Sequence, residues 1–186
     1  MSTTTIYCDS GDCWADKAGN FSSTGTQLYV VDSPGVTNSN VRTWIPFTIP
    51  FRGITINSAY ITITANATSD TATGNIRFGC EAADNVTTPV SAADLYARPL
   101  SAYLETHSIG QFVFGTAYTF KIDNPIQETI NRPGWREGNT LAVIIDDVDI
   151  GDSQRSIYSY EGNASLRAYL TLNYTDDSGI DFIVVL

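Results

Sequence analysis

Histidine is almost missing from this chain of 186 residues: His107 is the only one. That excludes zinc sites built on two or three histidines, and it leaves a serine or cysteine nucleophile only one possible base. No Gly-x-Ser-x-Gly elbow occurs, and Gly151-Asp152-Ser153, the Gly-Asp-Ser order of one esterase superfamily, has no histidine after it. His107 follows Glu105-Thr106 in a loop-like stretch and is read as a surface or structural residue. Lysine is equally scarce, present only as Lys17 and Lys121. With 20 acidic against 10 basic residues the formal charge is −10, so phosphate backbones and anionic membrane surfaces are poor partners. Gly-rich phosphate loops are absent. No window approaches the roughly 18 continuous apolar residues that span a bilayer, and the start of the chain has neither the basic nor the apolar part of a secretory leader. An odd set of three cysteines, Cys8, Cys13 and Cys80, reads as reduced thiols, with a Cys8–Cys13 disulfide as the alternative.

What is present is β-patterning. The run 59–65 is the clearest: Tyr60, Thr62 and Thr64 face one way, and Ala59, Ile61, Ile63 and Ala65 the other, the mark of a sheet wet on one face and buried on the other. Further strands are expected at 28–31, 41–49, 76–81, 111–114, 117–122, 141–146, 155–160, 167–174 and 182–186, with turn residues between them. Many short strands with frequent turns predict an all-β fold, an antiparallel two-sheet jelly-roll β-sandwich. Two segments carry helix signals: Asn124 as cap before Pro125 and Gln127, with Pro133-Gly134 as the stop, and Ser91 as cap of 92–97. They predict short helices in crossover loops. There is no repeat or linker, so residues 1–186 form one domain, with 1–40 supplying N-terminal strands and an arm, and 175–186 a C-terminal extension strand.

The acidic run 146–152 offers calcium ligands at Asp147, Asp149 and Asp152, since alternating carboxylates in a turn suit a hard cation; a solvated loop is the other reading. Asp9 and Asp12 beside Trp14 form a second, weaker cation candidate. Paired carboxylates also serve glycosidases, but no pair stands out. Trp44 is expected in the sandwich core and Trp135 half-buried beside the sheet. Tyr158 and Tyr160 alternate along one strand, so Tyr158, Tyr160 and Trp135 are the candidates for stacking on sugar rings, with a protein interface as the rival use of the same aromatic face.

Several segments together resemble a known family. RTWIPFTIP at 42–50 is followed by INSAYITI at 56–63, EAADN at 81–85 and Arg98-Pro99-Leu100. Then IQE at 126–128 leads into NRPGW at 131–135, a strand ending in Asp146-Asp147, RSIYSYE at 155–161 and LTLNY at 170–174. Over roughly residues 41–174 this order resembles the DNRLRE-type, disaggregatase-related β-sandwich domains, which include carbohydrate-binding modules, and most of all the versions in tailed-phage structural proteins. The resemblance implies a non-catalytic jelly-roll module that binds polysaccharide or builds surfaces. Without a leader, the expectation is a virion protein assembled in the host cytoplasm: a capsid decoration (cement) protein or a fibre or tail component, docking on the major capsid protein and homo-oligomeric. The alternative is a carbohydrate-binding module or adhesin for surface glycans, calcium-dependent if the acidic loop holds the ion. The apolar end, Phe182, Ile183, Val184, Val185 and Leu186, would be an aggregation hazard if exposed. It is expected either to add a strand to its own sheet or to serve as an interface on a neighbouring subunit.

Overall fold

The computed structural model describes residues 1–31, 40–148 and 154–176. In chain order the elements are β1 (Ser2–Tyr7), β2 (Cys13–Ala15), β3 (Phe21–Ser22), β4 (Gln27–Val31), β5 (Arg42–Thr48), β6 (Ile54–Thr64), β7 (Gly74–Cys80), α1 (Ala92–Ala97), β8 (Glu105–Ile109), β9 (Ala117–Lys121), α2 (Asp123–Ile130), β10 (Thr140–Asp147), β11 (Arg155–Tyr158) and β12 (Tyr169–Asp176). One sheet has the order β1-β12-β6-β9, a second β3-β2-β5-β10-β7-β8, and β11 pairs with β4 alone. All the strand pairs are antiparallel. With β2, β3, β4 and β11 set aside, eight strands remain, in the orders first-eighth-third-sixth and second-seventh-fourth-fifth. That interleaving is the jelly roll, two Greek keys closed against each other.

The alternation in β6 points its apolar residues inward as predicted, but the face expected to be wet is so only in part: Tyr60 is half-buried, and Thr62 and Thr64 are buried. Ala59, Ile61 and Ile63 are fully buried and join Leu170 and Leu172 of β12, Phe47 of β5, Phe78 of β7 and Val143 and Ile145 of β10 in one core. The six-stranded sheet is buried on its other face too. There Cys13, Ala15, Trp44, Ala142 and Ile144 pack under Ala92 and Leu95 of α1 in a second core. Burial on both faces explains why β10 reads as a continuous apolar run rather than an alternating one. Trp44 lies in this second core, outside the two sheets. Its indole Nε1 donates to buried Glu81 Oε2 at 2.8 Å.

Ser91 caps α1 as expected, its Oγ accepting from the Asp94 N–H at 3.1 Å. The second helix starts differently. It begins at Asp123 after Ile122, with no side-chain cap, and Asn124 donates instead to Glu105 Oε1 at 2.8 Å. The reason lies in β6: β9 ends at Lys121 opposite Tyr60, and the next N–H groups of β6 need partners. Asp123 accepts from the Ala59 N–H at 2.6 Å and Gln127 from the Ile56 N–H at 2.6 Å, so the helix continues the edge that the strand abandons.

Two strand expectations are corrected. Residues 111–114 form a loop: Phe112 is buried and stacked on Tyr118, while Val113 and Phe114 point to solvent. Residues 105–109, read as a loop, are β8, in which His107 packs against the rings of Phe78 and Phe120. The Thr-rich N-terminus is an edge strand, β1, paired along β12, so residues 2–7 belong to the sandwich rather than to an arm. Phe182, Ile183, Val184, Val185 and Leu186 lie outside the described residues, as do Asp149 and Asp152.

Candidate functional site

The outer face of the four-stranded sheet is built by register. Strand pairing sets Tyr7, Tyr169, Thr62 and Thr119 in one row across it, and Thr5, Thr171, Tyr60 and Lys121 in the next. A third row holds Thr3, Asn173 and Ser58, linked by Thr3 Oγ1 to Asn173 Oδ1 at 2.6 Å and Asn173 Nδ2 to Ser58 Oγ at 2.8 Å. The intervening residues Leu170, Ile61 and Phe120 point into the core, so these rows are the side turned away from it. The face is a lattice of hydroxyls and amides carrying three tyrosines.

At its end the Tyr7 and Tyr169 rings lie 5.5 Å apart between centroids at 52°. Tyr7 is 47% exposed. Arg167, in the bend before β12, holds its guanidinium carbon 5.3 Å from the Tyr7 ring centre and 5.0 Å from that of Tyr160. This guanidinium fixes the ring orientations by cation–π attraction. Tyr160 is half-buried, and its N–H donates to Asp12 Oδ2 at 2.8 Å. Asp12 is 2% exposed, and its carboxyl also shares a side-chain hydrogen bond with that of Glu161. Burial raises its pKa to about 7, and the Glu161 carboxyl against it adds to the rise, while the Tyr160 N–H opposes it.

Of the three sugar-stacking candidates, the structure brings only Tyr160 to this face. Tyr158 is half-exposed and tilted towards Phe114, 6.4 Å away between centroids. Trp135 is a correction: at 3% exposure it belongs to the core, its Nε1 donating to the Phe51 carbonyl at 3.3 Å, and it presents no ring to solvent. Tyr7 and Tyr169 were not singled out from the sequence. They lie 162 positions apart, and only the β1–β12 register makes them neighbours.

A cleft of about 320 Å³ opens on the outer side of the six-stranded sheet, beside α1, and Lys17, Arg42, Arg77, Tyr96, Asp146 and Asp147 line it. Here Asp146 accepts from Arg42 Nε at 2.7 Å and from Arg77 Nη2 at 3.1 Å, and Arg42 lies over the Tyr96 ring. Part of the acidic run is thereby spent on arginines. Asp147 is 8% exposed and ends β10. Among the described residues no three His, Cys, Asp or Glu side chains gather in a group able to hold a metal.

The nucleophiles are placed structurally. Cys8, Cys13 and Cys80 are free thiols and buried; burial pushes Cys8 and Cys80 up to about 12 and raises Cys13 further. His107 bonds through Nε2 to the Lys121 carbonyl at 2.9 Å.

No family model matches this sequence, and no curated protein is significantly similar to it. Among solved structures, TmCBM61 in complex with beta-1,4-galactotriose overlaps 90% of this chain and 86% of its own, at 8% identity and a TM-score of 0.31. The family 11 carbohydrate-binding module from Clostridium thermocellum, in complex with a beta-1,3-1,4-mixed-linked tetrasaccharide, overlaps 91% and 87%, at 9% identity and a TM-score of 0.32. Overlaps this loose carry no weight for ligand or site, and the jelly roll stands on the chain's own strand order.

Proposed function

We propose that this protein is a non-catalytic carbohydrate-binding module whose ligand lies on the outer face of the four-stranded sheet. The observation that carries the reading is the Tyr7–Tyr169 pair, with Tyr7 47% exposed and its ring under the Arg167 guanidinium. A pyranose ring offers an apolar C–H face and an equatorial rim of hydroxyls. Tyrosine rings take the first, and the threonine, serine and asparagine rows beside them take the second. Because two of these rows cross all four strands, the face suits an extended chain, not a single sugar. The sandwich supplies rigidity: Leu170, between Tyr169 and Thr171, is locked in the core and fixes the spacing of both.

The test is depletion of the protein by a panel of soluble and insoluble polysaccharides, run beside Tyr7→Ala and Tyr169→Ala. Retention by at least one glycan, weakened in both variants, supports the reading; no retention by any glycan counts against it. A virion role rests on the family resemblance; its candidate interface, Phe182 to Leu186, lies outside the described residues, and mass spectrometry of density-banded particles tests that location separately.

A further inference from the structure

The protein is acidic, with 20 acidic against 10 basic residues, yet the three rows of the proposed binding face hold no carboxylate. Their only charged member is Lys121, whose Nζ lies 2.8 Å from Asp123 Oδ2. At the Tyr7 end stands a cation with no such partner. Arg42, Arg77, Arg98 and Arg132 are each paired with a carboxylate. Arg136 and Arg155 donate to main-chain carbonyls, and Arg52 is exposed to water. Arg167 is half-buried and has neither kind of acceptor among the described residues. Its guanidinium rests over the Tyr7 and Tyr160 rings, and cation–π contact supplies no oxygen to its N–H donors. Of its nitrogens only Nε is buried without a partner, which leaves the Nη groups to solvent. Glu161, the acid next to Tyr160, shares its hydrogen bond with Asp12 instead.

A guanidinium held between two rings with its outer donors unused is preorganised for an oxyanion, which it takes through paired N–H groups. Resting on the carbohydrate-binding reading, we infer that the glycan is an anionic polysaccharide, and that Arg167 receives the carboxylate or sulfate oxygens of a sugar lying against the exposed part of Tyr7. The guanidinium carbon is 5.3 Å from the Tyr7 ring centre, so the charged group sits on or next to the sugar ring, not on a long substituent. The net charge of −10 opposes such a ligand only at long range. Glu81, Asp94 and Asp146 stand on the outer side of the other sheet, already paired with arginines. That is at least one sheet spacing of about 10 Å away, beyond the screening length of roughly 8 Å at physiological salt.

The experiment measures retention of the whole chain on polygalacturonate and on a sulfated galactan, each beside its carboxyl-reduced or desulfated counterpart, as sodium chloride is raised. At least one charged polymer is expected to bind about tenfold more tightly than its neutral counterpart, with the advantage shrinking as salt rises; which polymer does so identifies the oxyanion. Arg167→Gln is expected to erase that ratio while retention of the neutral polymer persists. A variant that merely loosens Tyr7 lowers retention of both polymers alike, so a ratio that survives in Arg167→Gln overturns the role of Arg167. Equal retention of charged and neutral polymers by the wild type overturns the anionic ligand and leaves the carbohydrate-binding reading standing. No retention by any polymer overturns both.

Discussion

Trp44 and Glu81 are bonded to each other outside the sandwich proper, indole Nε1 to carboxylate Oε2 at 2.8 Å, with Arg98 on the other carboxylate oxygen at 2.9 Å. Glu81 is 3% exposed, so both its oxygens must be answered from within the protein. Trp44→Phe keeps an aromatic ring but orphans Oε2, and is expected to cost about 1–3 kcal/mol. Arg98→Met leaves a buried charge uncompensated and is expected to cost more, about 3–5 kcal/mol. Urea unfolding followed by circular dichroism gives both values, and equal small effects would mean that Glu81 finds water instead.

The two tightest of the described glycines separate by what stands in the way. At Gly162 the obstacle is main chain, the Thr26 carbonyl oxygen at 2.0 Å from an added Cβ; at Gly134 it is the Asp84 side chain, at 1.8 Å. Asp84 can swing away at the expense of its ion pair with Arg132, which is partly exposed. Gly162→Ala is therefore predicted to lower the melting temperature much more than Gly134→Ala. The reverse order in thermal scans would contradict the close packing of the 159–162 turn.

All three thiols are buried, and burial pushes Cys8 and Cys80 up to about 12. A raised thiol pKa means almost no thiolate at pH 8, and the thiolate is the reactive form. Ellman's reagent at pH 8 is expected to read no thiols in the native protein and three after denaturation. Fewer than three after denaturation would indicate a disulfide.

On the proposed function Tyr7 and Tyr169 act through their rings, and removing either is then expected to weaken glycan retention by about tenfold, the equivalent of ~1.4 kcal/mol. Tyr158→Ala lies by Phe114 instead and is expected to leave retention unchanged. A Tyr158 effect equal to that of Tyr7 would move the binding face.

The sequence was most readable in the core-facing half of β6. The alternation from Ala59 to Ala65 turned Ala59, Ile61 and Ile63 inward correctly, but the opposite face is not wet along its length, since Thr62 and Thr64 are buried as well. It was least readable where tertiary context decides. β8 looked like a loop because Glu105, Thr106, His107 and Ser108 are polar, yet its backbone completes the edge of the six-stranded sheet beside β7. Residues 111–114 looked like a strand because they are apolar, yet only Phe112 of its three apolar residues turns inward. Asn124 has the chemistry of a cap, but the unpaired N–H groups of β6 pull the helix start back to Asp123. The candidate site was legible only in part. Tyr160 was picked out as a strand aromatic, yet β11 ends at Tyr158 and Tyr160 sits in the turn after it, whereas the Tyr7–Tyr169 pair exists only through the pairing of the two ends of the fold. Trp135 was misjudged because nothing local to Pro133-Gly134 shows that its ring turns into the core.

Backbone amide shifts of the isotope-labelled protein, recorded while adding the best-retained oligosaccharide, test the location of binding most directly. Perturbations centred on Tyr7, Tyr169 and Thr171 of β1 and β12, and spreading to Tyr60 and Thr62 of β6, are the predicted result. Perturbations centred on Arg42, Arg77 and Asp146 in the opposite cleft, or none at saturating ligand, would contradict a glycan face on the four-stranded sheet.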